Sequence, residues 1–117
     1  MSVILNLTVD QGTTFEKTFT IYETDTSVLN LTNYQIRAEL RKVYAAITSV
    51  PFTIVCASPA TGQVTISLTD TQTSALTPGR YVYDVELKDS SNKVSRALEG
   101  KITVTPEVTR TSTGIQL

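Results

Sequence analysis

The sequence contains no histidine, no tryptophan and a single cysteine, Cys56. Without imidazole there is no ordinary Ser–His or Cys–His nucleophile pair and no histidine-ligated metal site. One cysteine excludes an internal disulfide, so the fold must be held by packing. Charge is balanced and scattered: ten Lys and Arg against eleven Asp and Glu, a net charge of −1. No basic stripe exists to follow a phosphate backbone, which argues against a nucleic-acid partner. No apolar run is long enough to cross a bilayer as a helix. Met1-Ser2-Val3-Ile4-Leu5 lacks the basic start, long apolar stretch and cleavage site of a signal peptide. The expectation is a chain made in and used from the cytoplasm, with no membrane partner. Its glycines, at 12, 62, 79, 100 and 114, stand apart and form no phosphate cradle. No cofactor and no small-molecule substrate are therefore expected.

What the chain does have is threonine, 21 residues of 117. Thr is β-branched and suits the solvated face of a sheet. The bias points to all-β structure with uncharged, hydroxyl-rich exposed faces. Such faces suit extended protein contacts, and a merely Thr-rich sheet surface explains them equally well. At 117 residues the chain is one domain, large enough to bury a core without staples.

The clearest pattern begins at Tyr81. Tyr81, Tyr83, Val85 and Leu87 alternate with Val82, Asp84, Glu86 and Lys88, the period of a strand with one buried face. Leu76-Thr77-Pro78-Gly79 before it is a turn, with Pro fixing φ and Gly free to make it positive. Leucine, Pro-Gly turn and strand-opening tyrosine resemble the tyrosine corner of immunoglobulin-like sandwiches, where the hydroxyl bonds back to the preceding connection. Leu76, Pro78, Gly79 and Tyr81 are the candidate corner residues.

Six further strands are expected. Residues 3–9 form the first, turned by Asp10-Gln11-Gly12. Residues 14–22 form the second, with Phe15, Phe19 and Ile21 inward; Lys17 interrupts that face and marks an edge or a bulge. A polar loop, 23–33, is pinned at its end by Leu31 and Tyr34. The third strand, 34–43, has Tyr34, Ile36, Ala38 and Leu40 inward and Gln35, Arg37, Glu39 and Arg41 outward, the densest charge in the chain. A helix competes for the run into Tyr44-Ala45-Ala46-Ile47, but alternation fits better. Residues 49–57 carry Phe52, Ile54 and Cys56 inward, and Pro51 places the start on an edge. Ser58–Gly62 is a hairpin connection to the strand 63–69, with Val64, Ile66 and Leu68 inward. Asp70 to Ala75 fits one helical turn with Asp70 as N-cap. The last strand, 93–105, follows the turn Asp89-Ser90-Ser91-Asn92, and Gly100 within it suggests a bulge or a close backbone approach. Seven strands about ten residues apart read as an all-β, immunoglobulin-like sandwich of about seven antiparallel strands over residues 1–105. A small closed barrel is the alternative.

From Pro106 the alternation stops. Residues 106–117 form a C-terminal arm in which Val108, Ile115 and Leu117 are spread among Thr, Ser and Gly. A frayed terminus is the plain reading. The apolar residues near its tip also suit an arm that docks on another subunit.

Chemistry is sparse. Cys56 faces inward and reads as an inert core thiol. Glu23, Asp25, Asp70, Asp84 and Asp89 lack the spacing of a calcium loop, so no metal site is expected. Asn6-Leu7-Thr8 and Asn30-Leu31-Thr32 match a glycosylation triplet, which means little without a secretion signal. Of the aromatics, only Tyr22 and Tyr44 face outward as candidate sugar-stacking groups.

The order of motifs is more telling than any one of them. Gln11-Gly12-Thr13-Thr14-Phe15, Leu31-Thr32-Asn33-Tyr34, Thr61-Gly62-Gln63-Val64, the corner from Leu76 to Val85, and Glu99-Gly100-Lys101-Ile102-Thr103-Val104-Thr105-Pro106-Glu107-Val108-Thr109-Arg110 follow in sequence. Together they resemble the small immunoglobulin-like structural domains of tailed bacteriophages, such as the N-terminal domain of baseplate upper proteins. The resemblance covers most of the chain. It implies a non-enzymatic virion protein of tail or baseplate, located in the virion, whose partners are other virion proteins and further copies of itself in a homo-oligomer. A capsid decoration or cement protein is one alternative. Another is a carbohydrate-binding sandwich for host attachment, working through loops 23–33 and 57–62. The sequence shows no helical stalk or receptor-binding part, so direct host binding is not the leading expectation.

Overall fold

The structure, a computed structural model, describes residues 3–110 and 114–117. Nine strands, one short α-helix and a single 3-10 turn at Pro59–Thr61 follow one another among the described residues: β1 (Val3–Ile4), β2 (Leu7–Asp10), β3 (Phe15–Thr20), β4 (Gln35–Arg41), β5 (Val50–Pro51), β6 (Thr53–Val55), β7 (Gln63–Leu68), α1 (Asp70–Ser74), β8 (Gly79–Lys88) and β9 (Val94–Thr105). They form two sheets. The larger runs β1–β9–β8–β4–β5, with β2 also beside β9; the smaller runs β3–β7–β6. The chain is an all-β sandwich rather than a closed barrel, and no helix among the described residues is long and apolar enough to cross a membrane.

The count is nine rather than seven because two expected strands divide. The stretch 49–57 changes sheets at Phe52. Val50 and Pro51 pair with Leu40 and Glu39 of β4, whereas Thr53 pairs with Ser67 of β7. Pro51 cannot donate to the ladder, the Phe52 N–H makes the last bond to β4 by donating to the Ala38 carbonyl at 3.0 Å, and the Phe52 side chain turns into the core. The stretch 3–9 breaks at Leu5-Asn6 into β1 and β2. Both lie parallel to β9, so the sandwich is not wholly antiparallel. The register is the same on either side of the break, Ile4 opposite Glu99 and Leu7 opposite Ile102.

That break explains Gly100. In β8 and β9, Tyr83 pairs with Gly100, and the Tyr83 hydroxyl passes beyond it to donate to the Leu5 carbonyl at 2.5 Å. A Cβ on Gly100 would run into that same carbonyl. The glycine thus marks a close backbone approach. The bulge lies elsewhere, at Ala97, where the register shifts between Val85 opposite Leu98 and Glu86 opposite Arg96. Asn6 completes the repair by accepting from the Lys101 backbone N–H at 3.0 Å.

The alternation seen in the sequence becomes the core. Val64, Ile66 and Leu68 from β7 meet Tyr81, Tyr83, Val85 and Leu87 from β8, with Leu40, Leu98, Ile102 and Val104 closing around them. Phe52 sits between the layers, its ring centroid 6.2 Å from those of Phe15 and Tyr83. β3 is an outer strand of the smaller sheet and pairs regularly with β7, with no bulge at Lys17.

α1 carries the chain from one sheet to the other. Its N-cap is Thr69, not Asp70: Thr69 is extended, its hydroxyl accepts from the Gln72 N–H at 3.1 Å, and Gln72 Oε1 accepts from the Thr69 N–H at 2.9 Å. This reciprocal capping box needs Gln at the third helical position, which only Thr69 has ahead of it.

Candidate interaction surface

The outer face of the larger sheet gathers most of the chain's ordered charge. The residues between the buried tyrosines of β8 point outward, and the ladder sets them in rungs. Arg37, Glu86 and Arg96 form one rung, Glu39, Asp84 and Glu99 the next, and Arg41, Val82 and Lys101 the third; Arg80 and Thr103 follow once β4 has ended. Three carboxylates therefore stand abreast in the middle rung. Like charges directly opposite are unfavourable in a ladder. They are relieved from the neighbouring rungs: Arg41 lies 3.1 Å from Glu39, and Arg96 lies 3.3 Å from Asp84 and 3.6 Å from Glu99. Arg37 pairs with Glu86 at 2.8 Å.

Asp84 feels the residual field. Burial first, then Glu86, Glu39 and Glu99, push its carboxyl above the ordinary 3.8, against the pull of Arg96. Behind it, burial pushes the Tyr83 hydroxyl up to about 12, so it remains a hydrogen-bond donor throughout the neutral range.

Beside these rungs the β4–β5 loop is held by Arg41, whose guanidinium donates to the Ala46 and Ile47 carbonyls at 2.8 and 3.1 Å. This presents Tyr44 and Ile47 at 79% and 97% exposure. Tyr44 forms one wall of a depression of about 420 Å³ floored by Arg37, Glu39, Asp84, Arg96 and Glu99. A fixed apolar tip beside a mixed-charge floor suits contact with a folded protein surface.

The corner residues lie at the end of the sheet nearest that loop. Leu76 is buried, Gly79 takes a φ of 139°, and the Tyr81 hydroxyl donates to the Thr77 carbonyl at 2.9 Å. Lys42 Nζ sits 4.7 Å above the Tyr81 ring. Thr73, and Gln11 in a role beyond the turn and motif that contain it, complete this end. Thr73, fully buried, donates to the Thr13 carbonyl and accepts from the Gly12 N–H, at 2.8 and 3.0 Å. Gln11 donates to the Leu76 carbonyl at 2.9 Å and accepts from the Glu107 N–H at 3.0 Å, tying the corner to the root of the arm. No local pattern distinguishes them, because their partners lie about sixty or more residues away.

The arm residues are not brought to the body. Val108, Ile115 and Leu117 are almost wholly exposed, and residues 111–113 of the expected arm lie outside the described residues. Loops 23–33 and 57–62 do come together, through the Leu31 N–H donating to the Pro59 carbonyl at 2.9 Å. Tyr22 belongs to that end, but Tyr44 follows the opposite end of β4, so the two exposed tyrosines do not share a site. Cys56 is half-buried and its thiol donates to the Gln63 carbonyl. Glu23, Asp25, Asp70, Asp84 and Asp89 are not gathered, and no group of three acidic or cysteine residues is placed to hold a metal among the described residues.

No protein-family model and no curated protein matches the chain. Among solved structures, it is similar to an internalin-like protein of Listeria monocytogenes, with a TM-score of 0.43 and 15% identity over 91% of this chain. The match spans 28% of that protein's length.

Proposed function

We propose that this chain is a non-enzymatic structural protein of a bacteriophage virion, in the tail or baseplate, acting by protein–protein assembly. The observation that carries the reading is the contrast between a closed, fully packed sandwich and an arm whose Val108, Ile115 and Leu117 find no cover on their own chain. Apolar side chains left in water at the end of a well-packed domain are a resource for association. The ordered motifs from Gln11 to Arg110 and their phage resemblance supply the assembly. Gln11 fixes where the arm departs by holding both Leu76 and Glu107. Removing residues 106–117 is expected to leave a folded chain, judged by an unchanged β-type circular dichroism spectrum, that is no longer incorporated into particles. Normal incorporation of the shortened chain would overturn the role of the arm.

A capsid decoration role uses the same arm and is separated by locating the chain in purified particles. The carbohydrate reading draws support from the juxtaposed loops 23–33 and 57–62, with Tyr22 exposed beside them. It requires glycan binding that Tyr22→Ala abolishes and Tyr44→Ala leaves intact.

A further inference from the structure

The charged rungs of the larger sheet have a symmetry of their own. Take a line across the strands at the level of Leu40, Tyr83 and Gly100, which pair with one another. On one side stand Glu39, Asp84 and Glu99, and beyond them Glu86 between Arg37 and Arg96. On the other side, at matching distances, stand Arg41, Val82 and Lys101, and beyond them Arg80. Next to the line the sign changes on β4 and β9, and on β8 it changes further out, from Glu86 to Arg80; with Arg37 and Arg96 included, the two sides carry net charges of −2 and +3. We infer that this face binds the same face of a second copy, about a two-fold axis along that line.

Such an axis places β4 on β4, β8 on β8 and β9 on β9, running in opposite directions. Glu39 then faces Arg41 of the second copy, Glu99 faces its Lys101, and Glu86 faces its Arg80. Each contact occurs twice, as an isologous interface requires. Asp84, whose charge is the least welcome of the four, faces Val82. Two twisted sheets pack face to face with strands within about 30° of alignment, so the rungs near the axis remain opposed. Arg80 and Lys101 take part in none of the four ion pairs formed within the chain among the described residues, whereas Glu39, Arg41, Glu86 and Glu99 each hold one and would share it with the second copy. Tyr44 stands at the rim of the same depression as Arg37 and widens the contact beyond the charges. A two-fold axis along the strands instead would lay the carboxylate rung on itself, which charge forbids. β4, β8 and β9, about 4.8 Å apart and opposed over about six residues each, give a footprint of roughly 300 Å² per copy, the size of a weak interface that forms only at high local concentration.

The test is a charge swap on the full chain, read by sedimentation equilibrium from micromolar to millimolar protein. The unaltered chain is expected to dimerise at low salt and to weaken as salt rises. Lys101→Glu alone and Glu99→Lys alone are each expected to weaken dimerisation at least about tenfold, because each creates two like-charge contacts. Mixed together, these two variants are expected to form a heterodimer, since every opposed pair at these positions is then again Glu on Lys. Lys101→Gln, which adds no repulsion, should fall between. A chain that stays monomeric to millimolar concentration, a dimer indifferent to Lys101→Glu, or variants that do not pair when mixed would each overturn the inference. None of these results touches the arm, whose role is read from particle incorporation.

Discussion

The two sheets turn the same alternation into opposite surfaces. On the smaller sheet, the outward positions of β3 and β7 include Thr18, Thr20, Thr65 and Ser67, and Thr18 and Thr65 share a hydrogen bond of 2.7 Å. On the larger sheet, β4, β8 and β9 present four carboxylates and their basic neighbours. Hydroxyl pairs satisfy each other locally and leave no long-range field. Ordered charge acts beyond its own strand, which is why the proposed pairing of two copies is placed on the larger sheet. The chain-wide threonine bias suggested hydroxyl-rich faces throughout; only the smaller sheet has one, because the charged residues of separate strands fall into register on the other.

The comparison is broken most severely at the residue that joins the layers. Phe52→Ala removes the ring between Phe15 and Tyr83 and should cost about 3–5 kcal/mol, measured by denaturant unfolding. Next comes the tie that holds the N-terminal strands to the larger sheet. Tyr83→Phe deletes the donor to Leu5 and should cost about 1–2 kcal/mol. The native hydroxyl ionises only near pH 12, against an ordinary 10.0, so this contribution is complete below pH 10 and fades as pH rises from there to about 12. The phenylalanine variant should lack that alkaline loss.

Smaller effects sharpen the contrast between the outer faces. Asp84 holds its proton to higher pH in the folded chain than in the unfolded one. Its contribution therefore favours folding at low pH and diminishes as pH rises through 3.8 towards the raised folded value. Asp84→Asn should remove that decline, seen as a flatter acid limb when stability is compared between about pH 3 and 7. On the smaller sheet, Thr18→Val should change stability by no more than about 0.5 kcal/mol and show no pH or salt dependence.

Much of this was readable in the residues. The alternation from Tyr81 to Lys88 and from Gln63 to Leu68 identifies buried and exposed sides, because side-chain direction in a strand is a strictly local property. The Pro-Gly turn before Tyr81 was legible for the same reason, and its hydroxyl reaches a carbonyl only four residues back. Asp70 and Thr69 are both good caps, and Gln72 decides between them, so the helix starts one residue before the position that the sequence alone suggests. Phe52 looked like one more inward residue, and nothing nearby shows that pairing changes sheets there.

Sequence alone determined the all-β class, the core residues and the point where regular alternation ends, since each follows from period, turn chemistry and composition within a few residues. Tertiary structure decided which strands are neighbours, and with that the parallel N-terminal edge, the Tyr83 bridge across Gly100 to Leu5, and the alignment of Glu39, Asp84 and Glu99. Those features depend on register between segments as much as ninety-five residues apart. Register is fixed by the packing of the whole core, so no single stretch of the chain contains it.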